Sequence, residues 1–149
     1  MVTTVFRFIG LAVLYIAVGL PLAPSAFCAD PDWFLLDESQ ESSFFYDRSG
    51  TTKPKEGVVR VRTRVVYTEQ GKAEAVKALG AVPEAAKLYE SRYIYDIDCA
   101  EREARLLAAS HFDKSGGILK TVDLSAFTDW EYLPPMTRMA VVANETCGR

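Results

Sequence analysis

One histidine in 149 residues, His111, leaves this chain short of the group that most often moves protons or holds metals at neutral pH. No second imidazole exists to make a histidine-based metal pair. No glycine-rich, phosphate-cradling loop follows a strand-like run, and no serine sits between the glycines of a nucleophile elbow. Charge of one sign is also lacking. The 17 basic and 20 acidic side chains give a net charge of −3, which offers no basic footprint for nucleic acid. Repeats, low-complexity tracts and interdomain linkers are absent too. The chain therefore reads as one domain with no enzyme's constellation, no metal site and no cofactor.

Long hydrophobic runs are missing except at the start. Phe8 to Leu20 is apolar and uncharged, but it is shorter than the about 20 residues that a membrane-spanning helix needs. Arg7 precedes it, Pro21 and Pro24 break it, and the small residues Ser25, Ala26 and Ala29 follow. Signal peptidase reads that order. Residues 1–29 are expected to be a cleaved signal peptide, the mature chain starting at Ala29 or Asp30. Residues 30–149 would then form one extracytoplasmic domain, in the periplasm or at the cell surface. Membrane attachment is expected only if Cys28 is acylated, and Phe27 is the wrong residue to precede a lipidated cysteine.

Cysteine is scarce as well, with three residues in all. Removal of the signal leaves Cys99 and Cys147, and an even pair in an exported chain reads as a disulfide; the alternative is two separate buried thiols. Strand-like runs occupy Trp33 to Leu36, Ser43 to Asp47, Val58 to Thr68, Ser91 to Cys99, Glu103 to Phe112 and Ile118 to Leu124, with a last short run around Trp130. Arg48 to Gly57 reads as a loop and Asp113 to Gly117 as a hairpin turn. The Ala- and Lys-rich stretch from Gly71 to Glu90 reads as helix, split by Pro83. Thr137 is placed to cap a terminal helix whose Met139, Val142, Ala143, Thr146 and Cys147 form one apolar stripe. Cys99 lies on the aromatic face of its strand, so both cysteines point to where helix meets sheet. The expected fold is α+β: an antiparallel sheet of about six strands, with a C-terminal helix packed on one face and tethered by a disulfide.

Few residues remain for function. His111 falls opposite Leu106, Ala108 and Phe112 on an alternating strand and reads as a surface residue. Asp96 and Asp98 share a strand face without the further acidic ligands or glycine-turned loop of a calcium site. Asn144-Glu145-Thr146 fits a glycosylation sequon but lies inside the terminal helix. Arg60, Arg62 and Arg64 stand in line on one face of the clearest strand. They are the candidate partner-binding residues, a strip for an anionic glycan, a lipid phosphate or an acidic protein. The competing reading is a cross-strand charge ladder with Asp96 and Asp98.

Several segments in order resemble the bacterial surface-adhesin E family: Trp33, Phe45-Tyr46-Asp47, Tyr95-Asp96-Ile97-Asp98-Cys99, Arg102, Arg105-Leu106-Leu107, Phe112-Asp113 with Gly116, and Trp130 with Leu133-Pro134 ahead of a helix closing on Cys147. The resemblance implies a six-stranded sheet with a disulfide-tethered helix, and a non-enzymatic cell-envelope protein that binds a protein or polyanion, as a monomer or a homodimer. The second reading is a periplasmic structural or accessory protein with no host ligand. Arg60 and Arg62 stand where the family often carries a tryptophan, Thr137 where it has serine, and Ala140 where an acidic capping partner is usual.

Overall fold

The computed structural model describes residues 30–148; the expected signal segment and Cys28 lie outside them. Eight strands make one antiparallel sheet: β1 (Trp33–Glu38), β2 (Ser42–Asp47), β3 (Thr52–Lys55), β4 (Val58–Tyr67), β5 (Leu88–Asp98), β6 (Glu103–Asp113), β7 (Ile118–Asp123) and β8 (Glu131–Tyr132). The six expected strands form the continuous path β1-β2-β4-β5-β6-β7. The other two are short additions to it. β2 pairs only with the second half of β4, from Thr63 to Tyr67. The first half would be a bare edge, and β3 fills it through Thr52↔Arg60 and Lys55↔Val58. The segment read as a loop thus contains a strand, exposed along its whole length.

Helix α1 (Glu69–Leu79) starts where the Thr68 hydroxyl accepts from the Gly71 amide at 3.2 Å, and it stops at Gly80, whose φ of 71° suits glycine. A Cβ on Gly71 would run into the Glu41 carbonyl, so the helix can approach the β1–β2 turn only with glycine there. After Pro83 a single 3-10 turn, Ala85–Lys87, leads directly into β5. That strand begins at Leu88, not Ser91, which makes Glu90 a sheet residue. Helix α2 (Arg138–Cys147) begins as expected, with the Thr137 hydroxyl accepting from the Ala140 amide at 3.2 Å.

The alternation of β4 sorts the molecule into two sides. Val59 and Val61 join Phe44, Tyr46, Ile97, Ala104, Leu133, Val142 and Ala143 in the buried core. Met139, Tyr95, Cys99 and Cys147 pack against it, so α2 lies on this face of the sheet. Cys99 and Cys147 are bridged, with Cα atoms 5.6 Å apart. Nearby, Arg102 donates to the Asn144 side-chain oxygen at 2.8 Å and ties the β5–β6 turn to the same helix. At its other end, Arg138 meets Asp37 at 2.6 Å. Helix α1 sides with the same face, where Leu79 adjoins Tyr67, Tyr93 and His111.

A bulge in β6 corrects the expected position of His111. Ile94 pairs with Ala108 but Tyr95 pairs with Leu106, leaving Leu107 as an extra residue. Alternation restarts beyond it. His111 consequently shares the helix-covered face with Leu106, half-buried, rather than lying opposite it.

Candidate functional site: the open sheet face

The second sheet face carries the even-numbered residues of β4 and β5, and neither helix lies over it. Arg60, Arg62 and Arg64 are there, as their alternation requires, joined by Arg92 from β5 and Arg105 from β6. Buried carboxylates bridge them. Asp96 receives Arg60 in a two-point contact, Nε to Oδ1 at 2.7 Å and an Nη to Oδ2 at 3.0 Å, and Arg105 approaches its Oδ2 to 3.5 Å. Glu90 takes Arg64 Nε on one oxygen and Arg92 Nε on the other, each at 2.7 Å. Arg62 pairs with Asp47, which has no exposed surface.

The expected ladder is therefore present with different rungs. Asp96 serves as foreseen, but Asp98 does not. Its carboxylate turns to the chain ahead and accepts from the amides of Ala100 and Glu101 at 3.0 Å each. Glu90 and Asp47 take its place. Glu90 was hidden because its segment reads as helix, and Asp47 because it sits on β2, where alternation alone does not identify its partner. Burial by itself would raise the Asp47 pKa. The Ser49 hydroxyl, the Asp32 amide, Arg62 and the Gly50 amide outweigh it and hold the carboxyl below its usual range. Asp96 pushes the Arg60 pKa further up.

Aromatic rings frame the guanidiniums. Arg64 and Arg92 each lie 5.9 Å from the centre of the Trp33 ring; Arg64 is also 5.5 Å from Phe45, Arg92 4.5 Å from Phe112, and Arg105 5.1 Å from Trp130. Planar guanidiniums stacked on rings and forked onto carboxylates lose little further freedom on binding. Between Trp33 and Phe112 opens a cleft of ≈ 180 Å³, floored by Ile94 and Ala108 and edged by Arg62, Arg92 and Ser110.

On the helix-covered face, the His111 ring shares a hydrogen bond of 2.7 Å with the Ser91 hydroxyl and meets Tyr93 edge-on. Burial, then Lys120, lowers its pKa. Among the described residues no three of His, Cys, Asp and Glu come together as metal ligands. Asn144 of the sequon is engaged by Arg102, while Thr146 is buried and donates to the Val142 carbonyl at 2.8 Å.

A small antiparallel sheet, closed on one side by a bridged helix and carrying a charged, aromatic-framed surface on the other, makes a compact α+β domain. The model of one family, surface-adhesin protein E, matches residues 33–148, and the chain belongs to that family. No curated protein matches the chain. The family suggests an adhesin-like, non-enzymatic protein outside the cytoplasm or at the surface. No helix among the described residues is long and apolar enough to cross a membrane.

Proposed function

We propose that the protein is an exported, non-enzymatic binding module of the cell envelope that engages its partner through the open sheet face. One observation carries this reading. Five arginines there are fixed on three buried carboxylates, aromatic rings lie against the Arg64, Arg92 and Arg105 guanidiniums, and neither helix covers the face. Guanidiniums held in place in this way can meet a partner's polar groups and rings with little further loss of freedom. Family membership and the N-terminal signal pattern support export. The mature chain should begin at Ala29 or Asp30, which the intact mass of the exported protein will show.

Protease added to intact producing cells should remove the protein, and deleting it should lower adherence of those cells to protein-coated surfaces. A protein that is protected until the outer barrier is opened, with unchanged adherence, would favour the periplasmic accessory role instead.

A further inference from the structure

A second cavity, of ≈ 280 Å³, opens on the other side of the sheet, beneath α1. Leu79 of α1 covers it, Val122 and Leu124 add apolar wall, and His111, Lys120 and Tyr93 bring polar atoms to it. Hydrogen bonding fixes where their protons lie. Ser91 is fully buried, and its hydroxyl oxygen accepts from Tyr67 at 3.1 Å. Its own proton goes to His111 Nδ1 at 2.7 Å. A neutral His111 therefore carries its hydrogen on Nε2 and is a donor on that edge. Tyr93, 3.4 Å from the Tyr67 oxygen, donates back to it, because the Tyr67 proton is engaged with Ser91.

Lys120 stands directly across from His111 in the β6–β7 register, which sets their Cβ atoms about 5 Å apart. Its ammonium donates to the Leu79 carbonyl at 3.4 Å and keeps two hydrogens for other acceptors. Among the described residues no carboxylate lines this cavity. Asp113, two residues beyond His111, turns onto the Ser115 and Gly117 amides, and Glu74 of α1 pairs with Lys77.

We propose that the cavity beneath α1 binds a small monocarboxylic acid with an aryl tail, its oxygens meeting His111 Nε2–H and Lys120 Nζ and its ring packed against Leu79, Val122 and Leu124. A carboxylate has acceptors only, which is what two neighbouring donors require. A partly buried ammonium without a counter-ion is costly, and an anion that reaches it removes that cost. The volume is nearly twice the about 150 Å³ of a cavity that takes up benzene, which leaves room for a ring and a short acid chain. Apolar walls with a few convergent polar groups are the usual build of small-molecule sites. Burial and then Lys120 depress the His111 pKa. A carboxylate set beside both would raise it again.

The test uses the mature, oxidised protein and phenylpropionate, with the ring signals of His111, the only histidine, followed by NMR. The probe should shift those signals saturably and raise their titration midpoint by at least about half a pH unit. Phenylpropanamide keeps the ring and loses the charge; it should bind at least about tenfold more weakly and leave the midpoint where it was. Lys120→Met retains the apolar stem and should weaken the acid by a similar factor. If that variant lowers the unfolding midpoint, the comparison of acid with amide on the unaltered protein decides. No shift at up to about 10 mM acid, equal binding of acid and amide, or undiminished binding by a folded Lys120→Met would each overturn the proposal. A shift without a rise of the midpoint would put the probe elsewhere than beside His111, and would overturn it too. The cavity and the open face lie on opposite sides of the sheet, so these outcomes leave the binding-module reading of that face untouched.

Discussion

Glu90 separates two guanidiniums that strand register would otherwise set face to face. Like charges directly opposed across a sheet repel, and only a carboxylate with an oxygen for each can turn the opposition of Arg64 and Arg92 into a bridge. Glu90 is 4% exposed while the Arg92 side chain is 42% exposed, so the two residues should differ sharply under substitution. Glu90→Gln removes the buried member and should cost about 3 kcal/mol. Arg92→Gln leaves Glu90 paired with Arg64 and should cost at most about 1 kcal/mol. Urea unfolding of both variants measures the difference; equal losses would mean that Glu90 does not hold the row together. By the same logic, exchanging Arg60, Arg62 and Arg64 together for glutamine should lower stability, because each leaves a buried carboxylate short of its partner.

At the scale of elements, α2 is held at both ends, by the Cys99–Cys147 bridge and Arg102 near its C-terminus and by Asp37 at its N-terminus. The bridge closes a loop with a sequence separation of 48 residues, for which chain entropy predicts about 4 kcal/mol. Cys147→Ser should lower the urea midpoint accordingly, and the amides of α2 should exchange hydrogen faster than those of β4 and β5. Uniform acceleration across the sheet would show instead that the helix and sheet unfold as one unit. Both cysteines and the helix were legible in the sequence, because the stripe from Met139 to Cys147 and the alternation from Tyr93 to Cys99 each identify a buried side. β3 was not. Its Thr, Lys and Pro residues show no apolar period, and its pairing comes from the bare half of β4 rather than from its own composition. The start of β5 was hidden by the Ala- and Lys-rich helix before it. The extra residue at Leu107 shows itself only in the pairing of β5 with β6, and alternation carried unbroken through it places His111 on the wrong side.

For the molecule as a whole, the two faces answer differently to acid. Under α1, the His111 pKa is lowered from 6.5 by burial first and by Lys120 second, so the folded state favours the neutral ring. The unfolded chain then binds a proton more readily. Stability from this site is full above the unfolded pKa near 6.5 and is lost as pH falls toward the lower folded value. On the open face, Asp47 titrates below 3.8 in the folded protein, so its contribution is full above that pH and disappears only on further acidification. The two losses set in at different pH. Urea midpoints should therefore begin to decline as pH falls below about 7.5, with a further decline setting in below about pH 4. His111→Gln should flatten the first decline and leave the second unchanged. If the variant keeps the full drop between neutral and mildly acidic pH, the proton uptake lies elsewhere than at this ring.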